Sequence, residues 1–167
     1  MSDTIPAAGG PAAPFDSADP QTWAAAITRR SAGGLADRLG LVFLEASPQR
    51  TVATMPVEGN TQPYGLLHGG ASVALAETLG SLAAALHAGP GRAAVGIEVS
   101  ATHHRGARAG TVTGVATPLH LGRRTATYEI VVTDDADRRV CTARLTCLLL
   151  ESTPTAGAPT AGGTSPA

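Results

Sequence analysis

The sequence predicts an α+β domain in which an antiparallel sheet is wrapped around one long central helix. Residues 68–88 form a stretch whose apolar side chains fall on nearly the whole circumference of a helix. Beyond it the apolar period drops from 3.6 to 2 and stays there through four segments. Composition supplies the frame: 167 residues, 43% apolar and 15% charged, describe one soluble globular domain able to close a core without metal or disulfide staples.

The elements follow in order. Residues 1–19 and 152–167 are dominated by Ala, Gly, Pro, Thr and Ser, cannot bury enough apolar surface to offset chain entropy, and are expected to be disordered tails. The folded domain is then residues 20–151. Asp19-Pro20 sets a capping residue before a helix-starting proline, so residues 22–30 read as a short helix, with another helical turn at 35–39. Residues 41–45 and 51–57 read as strands joined by the turn signal Ser47-Pro48, and 59–65 as a loop. In the long helix, Ala71, Val73, Leu75, Leu79, Leu82 and Leu86 leave no polar stripe, the mark of a buried helix with something wrapped around it. After Gly89-Pro90-Gly91, strands are expected around Val95-Ile97-Val99, over 111–117, and along the alternations Ala126-Tyr128-Ile130-Val132 and Cys141-Ala143-Leu145-Cys147-Leu149. Asp134-Asp135-Ala136-Asp137 is a turn. Sequential strands tend to pair antiparallel, which predicts a meander curling around the helix.

Charge narrows the function. Twelve Arg and no Lys face thirteen acids, so no overall field draws the chain to nucleic acid or to an anionic membrane, and any anion site must be local. The longest apolar run, 71–86, is interrupted by Ser72, Glu77, Thr78 and Ser81 and falls short of the roughly 20 apolar residues of a membrane span. The N-terminus lacks a basic start followed by an apolar run, so a cytoplasmic location is expected. Cys141 and Cys147, six apart on one strand and hence about 20 Å from each other, are expected as free core thiols. The five His are too scattered for a metal site, so neither metal nor cofactor is expected.

Two features carry chemistry. Glu77 is the only charged residue between Glu58 and Arg92 and sits in the middle of the apolar helix. A buried, unpaired carboxylate is costly, so the fold must pair it, protonate it or open it to a cleft; the plain alternative is that Glu77 faces solvent or pairs with an Arg such as Arg105. A poised carboxylate in those surroundings would have its pKa raised by desolvation. The second feature is His68-Gly69-Gly70 at the helix start, where backbone N–H groups lack helical partners and the dipole is positive, a geometry suited to a carbonyl oxygen or oxyanion. Paired glycines also serve close packing or a tight turn. Gly69 and Glu77 are eight residues apart, about 12 Å along a helix, whereas groups acting on one acyl carbon must lie within about 7 Å of each other. If the two work together, they come from different copies. That predicts an obligate homodimer with antiparallel helices across a twofold axis.

The run Gln62-Pro-Tyr-Gly-Leu-Leu-His-Gly-Gly-Ala-Ser-Val-Ala-Leu-Ala-Glu77-Thr-Leu-Gly-Ser81 resembles the hotdog-fold acyl-CoA thioesterases of the phenylacetate-type and 4-hydroxybenzoyl-CoA branch. It looks closest to the 1,4-dihydroxy-2-naphthoyl-CoA hydrolases of menaquinone synthesis. The likeness spans about residues 35–150, including Val95-Gly-Ile-Glu, His103-His-Arg105 and Pro118-Leu-His-Leu-Gly-Arg-Arg124. It implies that Glu77 is the catalytic carboxylate, as nucleophile or as general base on water, and that Gly69 N–H polarises the thioester carbonyl. His68 would hold the helix start, Gln62 would meet the carbonyl or lytic water, and Ser81, one turn beyond Glu77, would hydrogen-bond in the site. The resemblance assigns the CoA handle to His103, Arg105 and the Gly122-Arg123-Arg124 loop; Arg123 and Arg124 also read as ordinary solvated loop charges. Guanidinium forks suit phosphates.

Tyr64, Leu66, Leu67, Val73 and Met55 are candidates to line an acyl pocket. The implied substrate is an aromatic acyl-CoA, CoA being part of the substrate rather than a cofactor, and the expected assembly is a homodimer that pairs into a homotetramer. Two other readings compete: an acyl-CoA hydratase on the same architecture, and a noncatalytic acyl-CoA binding module. Gln62, Glu77 and Ser81 together weigh against a binder, which needs none of them.

Overall fold

A computed structural model describes residues 20–151; both expected tails lie outside the described residues. The chain forms α1 (Pro20–Arg30), α2 (Leu35–Arg38), β1 (Val42–Ala46), β2 (Thr51–Pro56), α3 (Gly69–Ala88), β3 (Arg92–His103), β4 (Thr111–Leu121), β5 (Thr125–Thr133) and β6 (Arg139–Glu151). Each expected element is present. The later strands run further than the sequence alternation indicated.

All six strands join one antiparallel sheet, but the order is β1-β2-β4-β5-β6-β3. The predicted four-strand meander is therefore corrected: β4, β5 and β6 form one, whereas β3 leaves its sequence neighbour β4 and pairs with β6, from Arg92↔Glu151 to His103↔Cys141. The reason is the crossover. The chain leaves β2, runs the length of α3 across one sheet face, and returns on the far side, so β2 and β4 close over the gap that β3 vacates.

α3 packs on this sheet through Leu75, Ala76, Leu79 and Ala83, each with no exposed surface, against inward residues such as Met55, Val112, Tyr128, Ile130 and Leu145. The approach is close. A Cβ on Gly114 of β4 would stand 2.6 Å from Leu79 Cδ1, and one on Gly80 of α3 would stand 2.6 Å from Leu145 Cδ2. Tyr128 keeps its hydroxyl satisfied in the core by donating to Pro48 O at 3.0 Å, and burial pushes its phenol pKa up.

The expectation that α3 is enclosed on all sides is also corrected. Gly70, Val73, Ala74, Glu77, Thr78, Ser81 and Leu82, spaced at three and four residues, are exposed or only half-buried and form one continuous stripe away from the sheet. β3 adds two exposed apolar side chains, Val99, 37% exposed and in register with buried Leu145 on the inner face, and Ile97, 57% exposed at the irregularity between Gly96 and Glu98. One six-stranded sheet curves over only one side of a helix, so the other half, where Glu77, Thr78 and Ser81 form the polar stripe the sequence was not expected to hold, among Val73, Ala74 and Leu82, is only partly covered by its own chain. By length and composition α3 is also long and apolar enough to cross a membrane, contrary to the sequence expectation, although its other half is buried in the chain's own core.

Candidate active site

The start of α3 is built around one free amide. His68 is the N-cap, and its Nδ1 accepts the Gly70 N–H at 2.8 Å. Ala71 and Ser72 donate to His68 O at 3.0 and 3.3 Å. The four N–H groups without an i−4 helical partner are those of residues 68–71; His68 donates to Asn60 O at 2.8 Å, Gly70 and Ala71 as just given, and only Gly69 has no acceptor among the described residues. His68 is thus held at the helix start as its cap, and its Nδ1 is an acceptor committed to Gly70.

Around Gly69 lies a cleft of about 440 Å³, lined by Gln62, Leu66, Leu67, His103 and Arg105 among others. The loop before α3 brings Gln62 there. Its ends are tied by Gln62 N–H to Leu66 O at 2.8 Å, and by Gly65, at φ 71°, whose N–H donates to Gln62 O at 2.9 Å. Asn60, buried beneath, donates its side-chain amide to Leu39 O and Pro56 O, both at 2.9 Å, and anchors the loop. Sequence reasoning missed Asn60, which lay in the stretch 59–65 read only as a loop. A Cβ on Gly69 would stand 2.9 Å from Nε2 of His103, an exposed ring that would have to turn aside to admit it.

The carboxylate is elsewhere. Glu77 lies on the uncovered stripe of α3, exposed and without an ion pair among the described residues, so pairing with Arg105 within one chain is excluded. The expected desolvation of this carboxylate is not supplied by a single chain. Its surroundings are nonetheless specific: a Cβ placed on Gly96 of β3 would lie 3.5 Å from Glu77 Oε1 and 4.0 Å from Ser81 Oγ. Gly96 pairs in register with Cys147 of β6, so carboxylate, hydroxyl and thiol gather over one glycine. Burial pushes the Cys147 thiol pKa up; a hydrogen bond with Ser81 opposes this, and the Glu77 charge adds to it. Neither Gly96 nor Cys147 was singled out for the site by sequence reasoning, because their nearness depends on a strand pairing that no local signal encodes. Cys141 and Cys147 are both free and buried, as expected.

The remaining candidates separate. α3 is unbroken from Gly69 to Glu77, so the two stay about 12 Å apart along the axis. His103 and Arg105 stand at the Gly69 end, but the loop of Gly122, Arg123 and Arg124 joins β4 to β5 at the other end, tied to His87 of the last helical turn. Eighteen residues at 1.5 Å put those two ends of α3 about 27 Å apart, so one chain does not gather the expected CoA handle in one place. Of the acyl-pocket candidates, Leu66 and Leu67 line the cleft, Val73 is half-buried on the free stripe and Tyr64 is 81% exposed. Met55 is wholly buried in the core and is not among the residues lining this cleft.

The thioesterase superfamily profile matches residues 64–141, a range that includes Gly69, Glu77 and the loop at 122–124. The chain is 49% identical over 126 residues to the proofreading thioesterase EntH of Cronobacter sakazakii, covering 75% of this chain and 92% of that protein. It is 48% identical over 122 residues to EntH of Klebsiella pneumoniae, covering 72% and 89% respectively. Among solved structures, a thioesterase of Haemophilus influenzae superposes with a TM-score of 0.74 at 36% identity, over 77% of this chain and 90% of that one. A mutant thioesterase of Pseudomonas aeruginosa gives 0.74 at 40% identity, over 77% and 94%. A sheet curved over one long helix, a lone carboxylate on that helix and relatives matched over nearly their full length agree: the chain belongs to the thioesterase superfamily and is a thioester hydrolase on the hotdog fold.

Proposed function

We propose that the chain hydrolyses an aromatic acyl-CoA thioester to the free acid and CoA, at a site that two copies build together. The observation that carries this is the split on α3: the one unpaired amide at its start and the one carboxylate in its middle, on a helix whose apolar outer stripe its own chain leaves bare. A second copy lying antiparallel along that stripe covers Val73, Ala74 and Thr78, takes Glu77 out of bulk water and brings it to Gly69 of the partner subunit.

In that site the Gly69 N–H of the partner subunit donates to the thioester carbonyl oxygen and stabilises the negative charge that forms there. Glu77 either adds to the carbonyl carbon, expelling CoA and leaving a mixed anhydride that water opens, or takes a proton from the water that attacks. Both routes yield one acid and one CoA. Gln62 holds the carbonyl or the water from the Gly69 side, and Ser81 orients the carboxylate from the next helical turn. The acyl group lies against Leu67, Val73 and Tyr64, while His103 and Arg105 at one end and the 122–124 loop at the other receive the CoA. No metal takes part in this scheme. Pairing of dimers into tetramers and a cytoplasmic location complete the reading.

For the acyl group, benzoyl-type and 1,4-dihydroxy-2-naphthoyl thioesters are the first candidates, the latter placing the reaction in menaquinone synthesis. A second reading is favoured by the proofreading relatives: clearance of wrongly formed thioesters, with broad acyl tolerance. The test is a thiol-release screen over aromatic and aliphatic CoA thioesters, ranked by kcat/KM. One dominant bicyclic aromatic substrate supports a biosynthetic step and a flat profile supports proofreading. Hydration of a crotonyl thioester, or tight binding without thiol release, contradicts hydrolysis altogether.

A further inference from the structure

The β4–β5 loop at 122–124 is held far more firmly than a hairpin requires. Gly122 N–H already closes the turn on Thr125 O at 2.9 Å. Beyond that, three consecutive carbonyl oxygens are taken by donors from three different elements. His87 Nε2, in the last turn of α3, donates to Gly122 O at 2.9 Å; a carbonyl only accepts, so the ring carries a proton on Nε2. Arg92 Nη2, at the start of β3, donates to Arg123 O at 2.7 Å, and Leu149 N–H of β6 donates to Arg124 O at 2.8 Å.

The two kinds of arginine here are used differently. Arg92 has a side chain only 22% exposed and spends its guanidinium on backbone carbonyls and on Glu151. Arg123 and Arg124 are exposed, adjacent and without a carboxylate partner among the described residues. Two exposed guanidinium groups without carboxylate partners, on a backbone tied at three carbonyls, present a paired set of donors that suits a phosphate. The loop is tied to His87, ten residues beyond Glu77 and about 15 Å further along α3, a separation that a pantetheine arm spans.

We propose that His87 and Arg92 are positioning residues that fix the 122–124 loop as a platform for the phosphates at the nucleotide end of the substrate. The inference rests on the acyl-CoA reading above and adds residues to it that touch neither the thioester nor the phosphates.

The test compares benzoyl-CoA with benzoyl-pantetheine, which lacks the nucleotide, on the full chain and on His87→Ala. The expected result is a KM for benzoyl-CoA raised about three- to tenfold, as one lost hydrogen bond allows, with kcat and the KM for benzoyl-pantetheine changed by less than about twofold. His87→Gln, which keeps an N–H donor at similar reach, should restore the KM. Arg92→Gln removes the second anchor independently, so it must shift the same ratio if His87→Ala fails to fold. Equal shifts for the two thioesters, or no shift in either, would overturn the proposal. Calorimetry with CoA and with pantetheine separates this from the hydrolysis reading. If neither thioester is cleaved but CoA binds more tightly than pantetheine and loses that preference in His87→Ala, the hydrolysis reading falls and the platform stands. If the wild-type chain shows no preference for CoA, the platform falls.

Discussion

On the side of α3 that meets the sheet, Leu75, Ala76, Leu79 and Ala83 are wholly buried; on the opposite side Val73, Ala74 and Thr78 are half-covered and Glu77 is exposed. The four on the first side are apolar throughout, whereas the second mixes Val73, Ala74 and Leu82 with Glu77, Thr78 and Ser81. The two sides also differ in which surface covers them. The first is satisfied by the chain's own strands, through contacts so close that Gly80 and Gly114 have no room for a Cβ. The second adjoins exposed Ile97 and Val99 on β3 and holds the only carboxylate of the helix. An apolar stripe left bare beside a reactive group implies that the group's working environment is made by another surface.

Substitutions on the two sides should therefore fail in different ways. The largest effect is expected from Glu77→Gln, which should lower kcat by a factor on the order of 10²–10⁴ while leaving the assembly and its melting temperature intact; Glu77→Asp should retain part of the turnover. Leu79→Ala, on the sheet side, should cost about 2–5 kcal/mol in denaturant unfolding, through lost burial and the cavity left behind. Val73→Arg, on the bare side, should leave the far-ultraviolet circular dichroism of the chain unchanged, yet yield monomers in sedimentation and no thiol release. A stable, active Val73→Arg dimer would break the comparison.

Smaller effects sharpen it. Ser81→Ala should lower kcat several-fold, on the order of one hydrogen bond, with KM nearly unchanged. The thiols give a pH signature. Burial raises both Cys141 and Cys147, so the folded chain holds protons that the unfolded chain releases; the stability this contributes is complete below the ordinary thiol range and is lost as pH rises above about 8.5. Urea midpoints measured from neutral to alkaline pH should fall, and less steeply in Cys147→Ala.

Much of the fold was legible because the change of apolar period marks each element locally. The place of β3 was not, since pairing of Gly96 with Cys147 across about fifty residues depends on how α3 crosses the sheet. The site divides along the same line. Glu77 stood out by its isolation and Gly69 by the His-Gly-Gly run, both local signals, and the helical rise alone showed that one chain cannot join them. The company of Glu77 over Gly96, the buried Asn60 anchor and the hold of His87 on Gly122 are contacts between segments distant in sequence, invisible until the chain is folded. The apolar circumference of α3 was legible, but not that its own chain covers only half of it.

The claim that one site draws on two copies is tested most directly by mixing two inactive variants. Gly69→Pro removes the unpaired N–H at a helix position that accepts proline, and Glu77→Gln removes the carboxylate. When the two chains are refolded together, about half of the dimers contain one of each, and each such dimer has one site with both groups intact if the groups come from different copies. Thiol release should then return to roughly a quarter of the wild-type rate. If Glu77 and Gly69 of the same chain served one site, every site in the mixture would lack one group, and the mixture would stay as inactive as its parents.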